Sequence, residues 1–514
     1  MKPKDINPTR TIAMMMAITI IGKVLGVLRD RMQAGAFGGD TAEGIAFAQA
    51  SFLPRTFLDV MFAAAFSASF IPVFSSYMET KGKKAAFDLA GLFISVVAVL
   101  TVAVAVISMI FAGPILSASL RGEYAPAGTV ELGVTLLRYM FPLMVLSGLA
   151  FSFTGILQSL GEFRIPAAMS AVSNAIILVY YFFFLDRFGV YGLAVAFLIG
   201  WGAQGVIQIP FLIKHKFRFR FRIDFKDPGL RQIGKLAMPV MVSSWIVPVN
   251  IWVNVRASSS LYGGEFGVTA IHFANTLFMI ISGVFILSVS NVIFPKLSRQ
   301  AATEDKAGFG ETLNETVRVV LFFLLPLTFG MMTLSQPLVR MIYYTDNFCS
   351  TAVQITGTAL FFFALGVVGF GLFAVLSRAC YAMMDGRTPI IAAIVAMAAN
   401  AVLSFTLAPR LYIAGPALAS AVAHTLAASI LVAALTRKGI LKWSGATIFD
   451  IGKMVVIALI MFGAVYAALG RMADLHAILQ VGISAVVGVA VYIGLAALVR
   501  IKEISWVVKN FLRK

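Results

Sequence analysis

Apolar runs of about twenty residues recur along the whole chain, and they restrict its fold more than any other feature. Two examples are AGLFISVVAVLTVAVAVISMIFAG (90–113) and VGISAVVGVAVYIGLAALV (481–499). A helix needs about 20 consecutive apolar residues to cross the hydrocarbon core of a bilayer. Only 12% of the 514 residues are charged, against about 25% in a typical soluble domain. The sequence therefore predicts an all-α polytopic membrane protein, and we count fourteen spans.

The segments between the spans alternate in charge, which predicts the orientation of the chain. ETKGKK, KHKFRFRFRIDFK and TRKGILK are rich in Lys and Arg, whereas LYGGEFG and APRLY are poor. Basic loops stay in the cytoplasm, so both termini are predicted to be cytoplasmic. The net charge of +18 is then mainly topological, and no nucleic-acid partner is predicted. KHKFRFRFRIDFK is interpreted as a linker on anionic headgroups, with coupling of two moving lobes as the alternative.

An internal repeat organises the chain. LQSLGEFRIPAAMSAVSN (157–174) resembles CYAMMDGRTPIIAAIVAM (380–397), and one offset of 223 positions also relates two further pairs, Gly192 with Gly415 and Pro72 with Pro295. An offset of six spans preserves orientation. We therefore predict two parallel six-helix lobes around a central cavity, a transporter architecture that works by alternating access. The predicted boundaries are 1–223 for the N-lobe, 224–446 for the C-lobe, and 447–514 for two extra spans with an amphipathic C-terminal tail.

The repeated turns carry an acidic and a basic residue each, Glu162 with Arg164 and Asp385 with Arg387. One interpretation is structural, because such residues can cap helices and pair across a lobe. The alternative is a gating role at the cytoplasmic side.

Charged residues inside the predicted spans point to a functional site. A charge at the bilayer centre costs roughly 2.5–3.5 kcal/mol on insertion scales, so these side chains are predicted to face a water-filled cavity and to pair in part. Inter-helix salt bridges are the alternative. The predicted cavity residues are Lys23, Arg29, Asp30, Arg55 and Arg256, with Glu43 and Asp59 as pairing or gating residues and Arg138 at the margin of the set. Cations dominate the deeper positions, which favours an anionic ligand such as a phosphate.

The sequence offers no catalytic chemistry. It has no Gly-rich loop followed by Lys-Ser/Thr for nucleotide hydrolysis, and its four histidines are scattered. The prediction is therefore a transporter rather than an enzyme, without a cofactor and driven by an ion gradient such as sodium or by the membrane potential. The candidate sodium ligands are Asn254 and Asp385.

Several motifs resemble those of the MurJ/MviN lipid II flippase family of the MOP exporter superfamily. They are GKVLGVLRDRMQAGAFG, FSASFIPVFSSY, SGVFILSVSNVIFPKLSR and LSRACYAMMDGRTP, in the order found in that family. The resemblance implies two six-span lobes plus two helices, in the bacterial cytoplasmic (inner) membrane. It also implies that the chain moves the undecaprenyl-pyrophosphate-linked peptidoglycan precursor lipid II from the cytoplasmic to the outer leaflet. Lys23, Arg29 and Asp30 stand at the family's Arg and Arg-Asp positions.

The chain departs from the family pattern at three places. Thr276 replaces the usual eighth-span Arg, Asn254 stands near an Asp associated with sodium, and Arg55 follows Pro54 directly. Our hypothesis is that Arg256 or Arg55 supplies the missing charge. The alternative functions are export of another polyprenyl-pyrophosphate oligosaccharide and a non-transporting scaffold for cell-wall synthesis. Besides the substrate, the predicted partners are membrane lipids, and the chain is predicted to be a monomer.

Overall fold

The computed structural model describes residues 8–65, 69–120, 125–244, 246–260, 266–302 and 306–503. Within these ranges the side chains of some helical stretches, including 56–65 and 287–296, lie outside the description. The described residues form helices joined by turns, without a strand, which confirms the predicted all-α class. The helices are α1 (Pro8–Phe37), α2 (Ala42–Ala65), α3 (Ile71–Thr80), α4 (Gly82–Ile110), α5 (Ala112–Ser119), α6 (Thr129–Met140), α7 (Leu143–Ser159), α8 (Arg164–Phe183), α9 (Leu185–Val206), α10 (Ile209–Lys214), α11 (Pro228–Ser244), α12 (Ile246–Ser258), α13 (Gly267–Ala302), α14 (Lys306–Thr333), α15 (Ser335–Tyr343), α16 (Ser350–Ala364), α17 (Val367–Ala382), α18 (Arg387–Leu411), α19 (Ala414–Arg437), α20 (Gly445–Gly470) and α21 (Ala477–Leu498).

Many of these helices are long and apolar enough to cross a membrane. Among the described residues nine meet that criterion, or ten if α16 and α17, bent by 45° at the break between them, form one span. The chain is thus a multi-pass membrane protein. The count of fourteen stays a prediction, because several predicted spans overlap residues outside the description.

The chain divides into two units, which we call unit 1 (Met1–Trp252) and unit 2 (Val253–Lys514). The division falls inside α12, beyond the predicted lobe boundary at residue 223. The reason is that α11 packs on α2, α3 and α4 of unit 1. The first helix after the linker is therefore held by unit 1.

The helix ends reproduce the offset of 223 positions. The pair α4 and α14 ends at Ile110 and Thr333, and the pair α7 and α17 ends at Ser159 and Ala382. The helices that follow, α8 and α18, begin at Arg164 and at its counterpart 223 positions later. The repeat inferred from short motifs thus extends through the helix boundaries of both units.

Backbone conformation repeats where residue type does not. Gly189 has φ 53° and ψ −147° between α8 and the rest of α9, and Tyr412, 223 positions on, has φ 50° and ψ −135° between α18 and α19. Likewise Gly161 (φ 83°) corresponds to Met384 (φ 59°) in the turn before α8 or α18. Positive φ normally favours glycine, which lacks a Cβ. Each unit therefore retains the same turn with different side chains.

The repeated Gly192 and Gly415 are explained by close packing. A Cβ on Gly415 would lie 2.6 Å from the carbonyl carbon of Leu407 in α18, and one on Gly192 would collide with the hydroxyl of Tyr180 in α8. Real Cβ atoms do not approach other atoms so closely. Each glycine therefore lets its helix approach the chain before it.

The last two spans belong to unit 2, where α20 and α21 pack on α14 and α15. Arg318 of α14 lies 3.4 Å from Asp450 of α20 and 2.6 Å from Glu503, which follows α21. The Tyr492 hydroxyl of α21 donates to the Phe322 carbonyl at 2.7 Å. The predicted amphipathic tail lies mostly in 504–514, outside the described residues.

Candidate functional site

Arg29 and Asp30, both predicted as cavity residues of the first span, form an ion pair at the centre of a polar site in unit 1. Arg29 donates to Oδ1 of Asp30 from Nε at 3.0 Å and from Nη2 at 2.6 Å. Both residues are buried, with 8% and 7% exposed. A charge-assisted, two-pronged contact of this kind fixes the plane of the guanidinium.

Asn174 of α8 holds the same guanidinium from the other side. Its Oδ1 accepts from Nη1 of Arg29 at 2.9 Å, and its Nδ2 donates to the Gly22 carbonyl at 3.1 Å and to Oγ of Ser170 at 3.3 Å. Asn174 was absent from the sequence prediction. It ties the charged end of α1 to α8.

Two glycines of the GKVLG stretch make this contact possible. A Cβ on Gly22 would lie 3.2 Å from the backbone nitrogen of Ala171, and one on Gly26 would lie 3.4 Å from Nδ2 of Asn174. Small residues four apart allow membrane helices to approach closely. The spacing of these glycines brings α1 within hydrogen-bonding distance of α8.

Aromatic side chains of α9 join Arg29 to Arg55 of α2. The guanidinium carbon of Arg29 lies 5.6 Å from the ring centroid of Phe197, and that of Arg55 lies 5.9 Å from the same ring and 5.7 Å from Trp201. The two rings stack at 5.5 Å with planes 9° apart. Cation–π contacts hold a guanidinium without neutralising it. Two of the predicted cavity cations are therefore brought together.

The resulting cluster, which we call the arginine cluster, comprises Arg29, Asp30, Arg55, Asn174 and Phe197. Asp30 contacts Arg29, and Arg55 adds a second guanidinium, so these five residues carry two positive charges and one negative charge. Guanidiniums match phosphate oxygens through paired hydrogen bonds. The arrangement suits an anion such as a phosphate or pyrophosphate.

Other predicted residues occupy different environments. Lys23 is exposed on α1, and Glu43 is exposed in the first turn of α2, where a carboxylate complements the helix dipole. Arg256 is partly buried in unit 2, and the side chain of Asp59 lies outside the described residues. The lining of a central cavity by these residues stays a prediction.

The acidic residues of the repeated turns have partners farther along each unit. Glu162 lies 3.8 Å from Nε2 of His215, and Asp385 lies 2.5 Å from Nζ of Lys438. His215 and Lys438 are themselves 223 positions apart. We call these two pairs the latches, because each links the turn before α8 or α18 to the residue that follows α10 or α19; of the two, only Asp385–Lys438 is within hydrogen-bonding distance. Arg164 and Arg387, the bases of the same turns, are exposed.

Asp385 also stabilises the start of α18. Its Oδ1 accepts from the Thr388 amide at 3.1 Å, and its Oδ2 accepts from the Thr388 hydroxyl at 2.6 Å. Burial alone would raise the pKa of Asp385, but the hydrogen bonds from Lys438 and Thr388 outweigh it and lower the pKa to about 2. The capping role proposed from the sequence is therefore present in unit 2.

The candidate sodium ligands lie apart. Asn254 is buried in a neutral network, where its Oδ1 accepts from Asn400 at 3.1 Å and from Ser404 at 3.0 Å, and its Nδ2 donates to Ser420 at 2.7 Å. Asp385 precedes α18, whereas Asn400 lies deep within it, about 20 Å farther along at 1.5 Å per residue. Among the described residues no three His, Cys, Asp or Glu side chains cluster as a metal site would require.

The neutral network of unit 2 corresponds to the arginine cluster of unit 1. In each unit a side chain of the first span bonds to an asparagine of the fifth, Arg29 to Asn174 and Asn254 to Asn400. Asn254 lies 225 positions after Arg29 and Asn400 lies 226 after Asn174, so neither shares the offset of 223, and the two buried polar ties join matching helices at different positions. Their charge differs, with an ion pair in unit 1 and amides in unit 2.

Comparisons with known proteins agree with this description. A family model described as lipid II flippase MurJ matches residues 34–485. A probable lipid II flippase MurJ of Vibrio cholerae is 27% identical over 470 residues, covering 89% of this chain and 88% of the relative. One from Rhizobium meliloti is 27% identical over 466 residues, covering 88% and 85%.

Solved structures share the fold. A structure described as lipid II flippase MurJ in an inward closed conformation has a TM-score of 0.80 at 24% identity, covering 95% of this chain and 99% of that chain. An inward-facing multidrug resistance MATE transporter of the MOP superfamily has a TM-score of 0.71 at 14% identity, covering 83% and 98%. These likenesses establish the fold alone.

Proposed function

The chain belongs to the lipid II flippase MurJ family, and from this premise we propose that it moves lipid II from the cytoplasmic to the outer leaflet of the bacterial inner membrane. Lipid II carries an anionic pyrophosphate between its lipid tail and its headgroup. The observation that carries the proposal is the arginine cluster, which brings two guanidiniums and one carboxylate together within a membrane-embedded unit. A charge arrangement this costly in a membrane is normally functional.

The residues of the cluster would divide the work of binding. Asp30 and Asn174 fix the orientation of Arg29 but leave it only partly neutralised. Arg55, stacked beside Phe197 and Trp201, adds a second cation. A pyrophosphate would contact Arg55 and the small exposed part of Arg29. In this proposal the chain binds the substrate and moves it without catalysis, because no bond of the substrate is broken.

We expect the two repeated units to provide alternating access. We also expect both termini to lie in the cytoplasm and the monomer to be the active species. The membrane potential is a sufficient driving force in this proposal. Each elementary charge moved across 100 mV contributes about 2.3 kcal/mol, and an anion moved outward is favoured when the inside is negative. Sodium coupling through Asn254 would first require its Oδ1 to release two donors.

Complementation of a flippase-depleted strain, combined with measurement of lipid II accessible at the outer leaflet, tests the proposal. The wild-type chain should restore growth and outer-leaflet lipid II. Arg29→Ala and Arg55→Ala should lose both, whereas Arg55→Lys should retain part. Arg187→Ala is the matched control, since Arg187 is an exposed cation of unit 1 outside the predicted cavity set, with its guanidinium carbon 5.3 Å from the Phe188 ring.

The same assay separates the alternatives. Restored growth without any increase in outer-leaflet lipid II would contradict transport and favour a scaffold role. Normal activity of Arg29→Ala in a properly inserted chain would contradict the assignment of the arginine cluster.

A further inference from the structure

An extended segment after α10, which we call the strap (217–225), is fastened along α4. The Arg222 amide donates to Oγ of Ser95 at 3.1 Å. A Cβ on Gly91 would lie 3.4 Å from the Arg220 carbonyl oxygen, so the absence of a side chain there lets the strap approach. Phe217 is buried and packs edge-on against Phe87 at 5.4 Å. The strap therefore has a defined position on unit 1.

The other apolar side chains of the strap point outward. Phe219, Phe221, Ile223 and Phe225 are 50%, 64%, 43% and 59% exposed. In a membrane protein, apolar exposure of this kind is compatible with contact with lipid. A single extended segment thus offers a row of apolar side chains away from the body of the unit.

Arginines alternate with this row. Arg218, Arg220 and Arg222 are exposed, and Asp224 lies 3.0 Å from Arg222. Three guanidiniums and one carboxylate leave the strap with a net positive charge. Basic and apolar residues thus alternate along the strap, and both kinds of side chain are exposed beyond the buried Phe217.

The docking point lies where α4 changes from charged to apolar. Lys83, Lys84 and Asp88 occupy the first turns, and no charged residue follows between Leu89 and Gly113. Gly91 and Ser95 therefore lie at the edge of the apolar stretch. This is the level at which aromatic rings and basic side chains occur at a membrane surface.

We propose that the strap is a binding surface for anionic phospholipid headgroups. The arginines contact lipid phosphates while the exposed phenylalanines enter the boundary of the acyl chains. With basic loops in the cytoplasm, this surface faces the inner leaflet, which attracts polybasic segments. The matching segment of unit 2 begins at Ile440, 223 positions after Phe217, and lacks such a run. Ile440 lies close to Gly310, and α20 begins soon afterwards at Gly445. The strap thus anchors unit 1 at the membrane surface.

A fluorophore on the strap tests the proposal without any lipid II present, so its outcome is independent of the transport proposal. We would attach NBD to Phe221→Cys in a chain carrying Cys349→Ser, leaving Cys380, which is fully buried. The chain is reconstituted in vesicles of phosphatidylcholine alone or with phosphatidylglycerol. Anionic lipid should shift the emission to shorter wavelength and increase its intensity.

High salt and charge-neutralising variants test whether electrostatic attraction to the anionic lipid causes the emission shift. High salt should reverse the shift, because the Debye length falls from about 10 Å at 0.1 M to about 3 Å at 1 M. R218Q/R220Q/R222Q should abolish the response to phosphatidylglycerol. K81Q/K84Q/K235Q is the matched control, since it removes three exposed lysines of unit 1 outside the strap and leaves Lys83, which lies 5.3 Å from the Phe87 ring that contacts Phe217.

The outcomes that overturn the proposal are equally defined. One is an emission that does not differ between neutral and anionic vesicles. Another is an equal loss of response in the lysine control. A third is suppression of the response by millimolar inorganic phosphate at constant ionic strength, which would indicate a site for free phosphate. Unchanged thermal unfolding midpoints of both triple variants show that the fold is retained.

Discussion

Replacing Asn174 by leucine should weaken the arginine cluster while leaving its charges in place. The change removes the acceptor for Nη1 of Arg29 and the donor to the Gly22 carbonyl. Leucine is close to asparagine in size, and position 174 is only 4% exposed. The effect should therefore come mainly from the lost hydrogen bonds.

The expected magnitude lies between two limits. Hydrogen bonds to charged groups contribute about 1.5–3 kcal/mol, whereas interhelical bonds in membrane proteins average about 0.6 and reach about 1.7 kcal/mol. Arg29 keeps Asp30 as a partner, so no bare charge is left. We expect the free energy of unfolding to fall by about 1–2 kcal/mol. For a unit of about 250 residues this lowers the thermal midpoint by roughly 2–8 °C.

Transport should respond as well, because a misoriented Arg29 presents its guanidinium poorly. A loss of about 1–2 kcal/mol corresponds to a decrease of about 5–30-fold in the rate at which lipid II reaches the outer leaflet. Asn174→Asp keeps the acceptor oxygen and should be more stable than Asn174→Leu, but its added carboxylate removes the excess positive charge, so its transport should also decrease. Ser173→Ala is the control, since Ser173 is a buried neighbour that bonds only within α8 among the contacts described.

A double-mutant cycle with Arg29→Leu decides whether the two residues act together. Independent sites add within about 0.3–0.5 kcal/mol. Additivity of Asn174→Leu and Arg29→Leu within that range would refute the reasoning. Equal losses in Ser173→Ala would refute it too, because they would point to general repacking of α8.

Three further predictions concern the latches and helix packing. The lowered pKa of Asp385, about 2, means that its contribution to stability is complete above the unfolded pKa of about 3.9 and is lost as the pH falls towards 2. Lys438→Met should therefore lower the unfolding midpoint at pH 7, and its difference from wild type should disappear near pH 2. Gly415→Ala should destabilise the protein by about 1–3 kcal/mol through overpacking. Gly482→Ala, with nothing within 4 Å of the added Cβ, should instead stabilise it by about 0.5–1 kcal/mol. Equal effects of the two substitutions in chemical denaturation would contradict this account. Arg318→Ala should cost about 3 kcal/mol by leaving a buried carboxylate without its cation, and unchanged hydrogen exchange of residues 499–503 would disprove that the pair anchors the last spans.

The helices were predictable because lipid imposes a simple pattern. Apolar length located the spans, and the common offset located matching helix ends at Ser159 and Ala382. Arg29 and Asp30 were both predicted as polar residues that pair in part, but the choice of Arg29 rather than Lys23 as the partner of Asp30 was not predicted. The predicted features depend on neighbours in sequence.

Contacts between distant helices were harder to predict. Asn174 stands in an apolar run without a charge pattern that points to α1, and its role appears only once Gly22 and Gly26 bring the helices together. The partners of Glu162 and Asp385 could have been predicted, because His215 and Lys438 are also separated by 223 positions. The sequence prediction instead grouped each acidic residue with the basic residue of its own turn, Arg164 or Arg387, because these lie close together along the chain.

Because the turns at Gly189 and Tyr412 have matching backbone conformations, each half of the chain suggests stabilising substitutions for the other half. A tyrosine with φ 50° and ψ −135° occupies a region that is nearly reserved for glycine, at a cost of about 1–3 kcal/mol. The first half has the unstrained residue at the matching position. Substitutions that stabilise this protein can thus be copied from its own sequence, without any alignment of relatives.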